Sequence, residues 1–230
     1  MKLSEVLYTK VSDLWKEAAA KPFVVEMAKG SLDPELFRYY MLQDYLYLKE
    51  YTDILNRTLK RTADPDLQVF LRNVIKETEK ETERVHLPNM KKIGISDAEI
   101  ENAGKAQVIV DYLAYMRQQP EKGVVAGLTA LLQCSWVYAF IGQALTEEYG
   151  DEIDLSPYKN WFDAYTCKEY IEANNAWIDM VDYETEGISR EETDRLCVIF
   201  ETCARYENRF WDELYEALRE REFKTLVRER

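Results

Sequence analysis

Residues 124–145, VVAGLTALLQCSWVYAFIGQAL, contain no Asp, Glu, Lys or Arg, although these four types make up 32% of the chain. A helix that is apolar on every side must be buried, either in a bilayer or at the centre of a bundle of more polar helices. The length permits both, since about 20 apolar residues cross a membrane. The bundle is favoured, because Thr129, Gln133, Ser135 and Gln143 dilute the run, Glu147 and Glu148 follow it directly, and no Lys/Arg cluster flanks it to set an orientation. Cys134 and Tyr138 lie one turn apart on this helix and share a face, with Gly127 two turns back and Gly142 one turn on. The glycines let a neighbouring element come close, and the thiol and phenol face whatever space remains.

A chain of 230 residues, 47% of them apolar, is able to bury a sizeable core, and no Pro/Gly/Ser-rich linker divides it. One domain over residues 1–230 is expected. The formal charge of −13 opposes binding to phosphate backbones and anionic lipid headgroups, so neither nucleic acid nor a membrane is an expected partner. Cys134, Cys167, Cys197 and Cys203 have neither the paired spacing of a zinc site nor the density of a secreted disulfide scaffold. Glu5 and Lys10 interrupt MKLSEVLYTK where a signal peptide needs an apolar run. A reduced, cytoplasmic setting is the expectation.

In chain order the pattern is helical throughout. Leu7, Val11, Leu14 and Trp15 share one side of a helix from residue 4 to about 20, with Ser4 as its expected N-cap. Residues 22–29 form a short apolar segment that stops at Gly30. Asp33-Pro34-Glu35 opens a helix running to about Arg61, and Asp64-Pro65 opens another that reaches toward Lys92, with Pro88 bending or interrupting it. The charged run ETEKETERVH within it reads as a solvated face, which makes His86 a surface histidine. A short helix from Ser96 and one over residues 105–119, broken at Pro120, lead into the central helix. Beyond Gly150 and Pro157 come residues 158–165, where Trp161 and Tyr165 share a face, and then a helix from Cys167 to about Tyr183. Ser189 and Glu192 form a capping box for a last long helix. No alternating strand pattern occurs, so the fold class is all-α: long helices around a buried central one.

Two carboxylates sit on apolar stripes. Asp44 lies on the face of Phe37, Tyr40, Met41, Tyr47, Leu48 and Tyr51, and Glu207 on the face of Leu196, Ile199, Phe200, Cys203, Phe210, Trp211 and Leu214. Taking an ionised carboxylate out of water is costly unless it is paired. A structural account has Asp44 accepting bonds from core tyrosines and Glu207 pairing with a buried arginine. A functional one joins the two acids to Cys134 and several tyrosines around an enclosed pocket, in which aromatic faces sandwich a flat, nitrogen-rich molecule and the acids bind its ring nitrogens.

The runs FRYYMLQDYLYL, ALLQCSWVYAFIG, WFDAYTCKEY and RYENRFWDELY resemble, in order and spacing, motifs of the thiaminase II (TenA) family, and the likeness extends from the first helix to about Leu218. The resemblance implies a haem-oxygenase-like helical bundle that binds no haem or other cofactor, assembled as a homotetramer. It implies hydrolysis of 4-amino-5-aminomethyl-2-methylpyrimidine to the hydroxymethylpyrimidine and ammonia, a thiamin-salvage reaction, with thiamin a slower substrate. The family's nucleophilic cysteine matches Cys134, its catalytic glutamate Glu207 and its pyrimidine-binding aspartate Asp44. Its aromatic wall and hydroxyl positions match Tyr47, Tyr112, Tyr138 and Tyr165. Cys134 places the chain in the cysteine-containing branch; Gln133 departs from the proline that many members carry there. The resemblance leaves Tyr112 or Tyr165 to orient the thiol, and Tyr47 and Tyr138 to stack on substrate.

Two other readings stand beside this one. A metal or haem enzyme on the same scaffold would use Glu83-x-x-His86, half of a di-iron motif whose second half is missing because His86 is the single histidine. A non-catalytic pyrimidine-binding or regulatory protein would keep Asp44 and the aromatic wall without needing the thiol.

Overall fold

The structure, a computed structural model, describes residues 2–228, apart from the side chains of 84–85 and 218–228. Eleven helices are present among the described residues, and no strand. Their starts follow capping chemistry. Helix α3 (Pro34–Leu59) opens where the Asp33 carboxylate accepts from the Glu35 amide at 2.8 Å, and α4 (Pro65–Glu81) where Asp64 accepts from the amides of Asp66 and Leu67. Ser96 and Glu99 cap each other at the start of α6 (Asp97–Asn102). At the start of α11 (Arg190–Arg228) Ser189 accepts from the Glu192 amide at 3.1 Å, but the Glu192 carboxylate pairs with Arg195 instead of closing the box.

Three boundaries depart from expectation. Helix α1 (Leu3–Ala19) begins before Ser4, which is buried inside its first turn; the Ser4 amide and hydroxyl both donate to Asp182 of α10 (Lys168–Glu184). A tertiary partner has taken the serine from its capping role. The central helix, α8 (Val124–Leu155), continues ten residues past its apolar run with a break in geometry at Tyr149, whose φ is −126°. The interruption expected at Pro88 comes ahead of the proline: a π turn over Thr82–His86 links α4 to α5 (Leu87–Lys92), and Pro88 sits in the first turn of α5. A π turn widens the helix by one residue and so rotates the side chains that follow, a feature common at functional sites.

Helix α8 is packed by α1, α2 (Pro22–Ala28), α3, α7 (Gln107–Arg117), α9 (Lys159–Thr166), α10 and α11. Among the described residues it is the one helix long and apolar enough to cross a membrane, yet 67% of its most apolar window is buried against these neighbours. The close approaches its glycines permit are real. A methyl group on Gly127 would lie 2.7 Å from Thr58 Oγ1, and one on Gly142 would lie 3.1 Å from Thr166 and 3.3 Å from Tyr165. At its other end, Gly123 adopts a φ of 136°, a left-handed conformation that turns the chain from the 3₁₀ turn Pro120–Lys122 into α8. Large aromatics, Trp15, Phe23, Tyr40, Phe162, Phe200 and Trp211, fill the space between α8 and its neighbours.

Candidate active site

Helices α3, α4, α8, α9 and α10 enclose a cavity of about 410 Å³, within the size range of small-molecule sites. Asp44, Tyr47, Cys134, Tyr138 and Tyr165 line it. Behind it, an inner chamber of about 10 Å³, room for about one water, is lined by Asp44, Tyr47 and Tyr138 again and by Tyr112 and Glu207. All seven side chains singled out in the sequence therefore meet in two chambers that share three walls.

Backbone ties position them. The buried Gln43 of α3 holds the entry to α7 from both sides, donating to the Gly104 carbonyl at 2.9 Å and accepting from the Ala106 amide at 2.8 Å, so α7 presents Tyr112 to the site. Glu213 of α11 accepts from the Val108 amide, fixing α7 to the helix that carries Glu207. The Tyr51 hydroxyl donates to the Leu131 carbonyl at 3.0 Å and that of Tyr170 to the Ser135 carbonyl at 3.0 Å, locking α8 to α3 and α10 on either side of Cys134.

Cys134 is half-buried. Burial pushes its thiol well above the ordinary range, the Glu207 charge adds to this, and a hydrogen bond from Tyr47 opposes it. Tyr47 lines the cavity beside Cys134, and its hydroxyl donates to Met116 Sδ at 3.5 Å. The Tyr112 hydroxyl donates to the Gln133 amide oxygen at 3.1 Å, and Tyr165 packs on Tyr138 with ring centroids 4.9 Å apart. Tyr47 also stacks on Tyr112, 5.7 Å between centroids.

Glu207 is 3% exposed. Burial raises its pKa to about 8; bonds from Tyr112 and Cys134 hold it lower than burial alone would, and the Asp44 charge raises it. Among the described residues no lysine or arginine pairs with it, so the buried-arginine account of Glu207 does not hold. A carboxyl with a pKa near 8 keeps its proton at neutral pH, the state that a general acid requires.

Asp44 has a partner that sequence reasoning misplaced. His86 is buried at 6% exposure, and its Nε2 lies 2.8 Å from the Asp44 carboxylate. The surface assignment is overturned. Burial pulls the imidazole pKa down, but the bond to Asp44 and the charges of Asp44 and Glu81 outweigh it, and the net shift is upward. A signal existed: the buried stripe Leu67, Leu71, Ile75, carried on in helical steps, arrives at Thr82 and His86. The charged residues between masked it. Glu81 was missed with it; this acid lines the cavity, and burial raises its pKa. Beneath Asp44 the Tyr40 hydroxyl accepts from Trp161 Nε1 at 2.9 Å, at the floor of an aromatic cluster that includes Tyr138, Tyr165 and Trp211. Among the described residues no three His, Cys, Asp or Glu side chains converge as a metal site requires.

Residues 8–217 match the model of the TENA/THI-4/PQQC family. An aminopyrimidine aminohydrolase of Helicobacter pylori is 28% identical over 94% of this chain and 100% of its own length. Another, of Halalkalibacterium halodurans, is 32% identical over 94% of this chain and 96% of its own. A TenA homologue from P. horikoshii OT3 superposes with a TM-score of 0.80 at 26% identity, covering 94% of this chain and 99% of that one. A domain with a heme oxygenase-like fold from Shewanella denitrificans shares the fold, with a TM-score of 0.75 at 17% identity over 95% of this chain and 94% of that one.

Proposed function

Because the chain belongs to the TENA/THI-4/PQQC family, we infer that it is an aminopyrimidine aminohydrolase, a thiaminase II acting in thiamin salvage. It hydrolyses the C–N bond of 4-amino-5-aminomethyl-2-methylpyrimidine to give the hydroxymethylpyrimidine and ammonia. The observation that carries this reading is a thiol, Cys134, lining the cavity and a buried carboxyl, Glu207, lining the inner chamber, two spaces that share Asp44, Tyr47 and Tyr138 as walls.

The chemistry follows from the protonation states. Burial pushes the Cys134 thiol well up and carries Glu207 to about 8, which leaves both neutral at neutral pH. As the sulfur adds to an electron-poor carbon of the pyrimidine, Glu207 passes its proton to a ring nitrogen and takes up the proton that the thiol releases. The ring, no longer aromatic, pushes its electrons toward the exocyclic methylene as the C–N bond breaks, and the proton that Glu207 took from the thiol goes to the amine, which leaves as ammonia. Water adds to that carbon and gives its proton to Glu207, and the C–S bond breaks as the ring nitrogen's proton returns to the sulfur, restoring the ring and the thiol. Asp44 binds the amidine-like edge of the pyrimidine, with His86 holding its carboxylate in place. Tyr47 orients the thiol, while Tyr138 and Tyr165 provide aromatic wall. Cys134 supports a catalyst over a pyrimidine-binding regulator, which would have no use for the thiol.

The same reading takes residues 1–230 as one domain of a soluble, cytoplasmic homotetramer. The test is a panel of pyrimidines, namely the aminomethyl compound, its formylated form and thiamin, incubated with purified protein while ammonia or the leaving amine is measured. The aminomethyl compound is expected to turn over fastest; release from none of the three would overturn the assignment. Light scattering of the same sample reads the assembly.

A further inference from the structure

Gln133 precedes the thiol on α8 and is fully buried. Its amide oxygen lies 3.1 Å from the Tyr112 hydroxyl, while its amide nitrogen, also buried, has no hydrogen-bond partner. A glutamine kept only for packing would be replaced to advantage by an apolar side chain of the same size, because a buried donor left unbonded is costly. The bond to Tyr112 is therefore what the polar group at this position provides. Tyr112 itself has little freedom. Its ring is clamped between Tyr47, at 5.7 Å and 27°, and Tyr206, at 5.2 Å and 11°. The hydroxyl oxygen is fixed within reach of Gln133 and of Glu207, and what remains variable is the direction of its one proton.

We propose that Gln133 is a positioning residue for the reaction: its amide oxygen takes the Tyr112 hydroxyl proton that would otherwise go to the Glu207 carboxylate, and so favours the protonated, proton-donating form of Glu207. The inference rests on the reading of Glu207 as the catalytic acid. A phenol offers one proton and two lone pairs. With its proton on Gln133, Tyr112 turns only lone pairs toward Glu207, and a carboxyl bonds to a lone pair only when it carries a proton. Without that acceptor the phenol proton turns to the carboxylate and stabilises the ionised form.

The other groups facing Glu207 are Asp44 and Tyr47 from α3, Cys134 and Tyr138 from α8, and Cys203 one turn back on α11. None carries a positive charge, and the Asp44 carboxylate pushes in the same direction as Gln133. Helices α1 and α2 meet α11 elsewhere, through Lys10 on Glu201, the Leu14 carbonyl on Asn208 and Glu26 on Tyr215.

The experiment compares Gln133→Met, nearly isosteric but without the amide oxygen, with the unaltered enzyme. Two readouts are taken against pH: kcat for the aminomethylpyrimidine, and the infrared band of the protonated Glu207 carboxyl, identified by its loss in Glu207→Gln. In the unaltered enzyme kcat is expected to fall as pH rises through a Glu207 pKa at or above about 8, since the value of about 8 already includes a bond donated by Tyr112. In Gln133→Met that limb and the midpoint of the band are expected to move down by about one pH unit, roughly a tenfold change in ionisation constant. In a Tyr112→Phe background the same substitution is expected to move neither. A limb and band that stay put or move up, or that shift equally without the Tyr112 hydroxyl, overturn the proposal. If Glu207→Gln retains the limb, it is the reading of Glu207 as the acid that fails. Should Gln133→Met not fold, Gln133→Leu is measured in the same way; failure of both to fold makes Gln133 a structural residue and also overturns the proposal.

Discussion

At the scale of single residues, the site sets a thiol against a carboxyl in a place that neutralises both. Burial raises the Cys134 thiol and carries Glu207 to about 8. Sulfur nevertheless remains a far better nucleophile than oxygen. Cys134→Ser is therefore expected to keep substrate binding and lose turnover by on the order of 10³-fold or more, the scale on which removing a nucleophile acts. Steady-state and single-turnover kinetics measure this, and near-normal kcat in the serine variant would remove Cys134 from the chemistry. The pair of Asp44 and His86 makes a second expectation. Both are buried and bonded at 2.8 Å, so His86→Ala leaves Asp44 without its partner. Breaking a buried charged pair costs roughly 3–5 kcal/mol. Denaturant unfolding should show a loss of that order together with a raised KM for the pyrimidine. An alanine variant with unchanged stability and KM would return His86 to a bystander's role.

The elements are placed by what they lack as much as by what they carry. Gly127 lets α8 approach Thr58 of α3, whose hydroxyl is itself bonded to the Ile54 carbonyl at 2.9 Å and cannot swing away without losing that bond. Gly127→Ala gains about 1 kcal/mol of helix propensity, but its methyl would stand 2.7 Å from that hydroxyl. Overpacking costs roughly 1–3 kcal/mol, so the variant is expected to melt earlier. Gly142→Ala meets softer neighbours at 3.1 and 3.3 Å, the second being Tyr165 Cβ. Its effect should fall on KM more than on melting temperature, because Tyr165 yields toward the cavity. Equal melting temperatures with an unchanged KM in the two variants would contradict this account of how α8 is seated. The π turn over Thr82–His86 joins α4 to α5 in a segment whose composition is that of a solvated helix, yet both of its end residues are buried.

For the whole molecule, Glu207 and His86 both give stability a pH dependence of the same sign. Glu207 is raised from 4.5 to about 8. Below 4.5 its carboxyl is neutral in both the folded and unfolded chain and the full stability is present. Between 4.5 and about 8 the unfolded chain ionises while the folded one keeps its proton, so stability is lost progressively until pH passes the folded value. His86, raised above 6.5 in the folded state, also favours folding at the acidic end, and its contribution disappears as pH rises through its folded pKa. Glu207→Gln carries no ionisation at that position. The variant is expected to gain on the unaltered protein as pH rises, reaching on the order of a few kcal/mol at about pH 9, even as its turnover drops by roughly 10²–10⁴-fold. Unfolding midpoints at about pH 5 and about pH 9, compared between the two proteins, check this. A difference that does not grow with pH would mean that Glu207 is ionised in the folded state.

What the chain states about itself locally proved readable. The starts at Asp33, Asp64, Ser96 and Ser189, the glycine approaches on α8 and the stripes carrying Asp44 and Glu207 all follow from spacing along one helix or from a cap within three residues of its amide. Helical period and capping act over one or two turns, so sequence alone determined that this protein is all-α around the helix that carries one long uncharged run, and which acids and thiol are turned inward. The partners of those groups are another matter. That Asp182 takes Ser4 from its cap, that His86 meets Asp44, that the Tyr47 hydroxyl meets Met116 and that Gln133 bonds Tyr112 each depend on two helices remote in sequence arriving side by side at one rotation. A period fixes the face of a helix to within a side chain's width, whereas a hydrogen bond is decided within a few tenths of an ångström. Only the packing of α3, α4, α7, α8 and α11 supplied that precision.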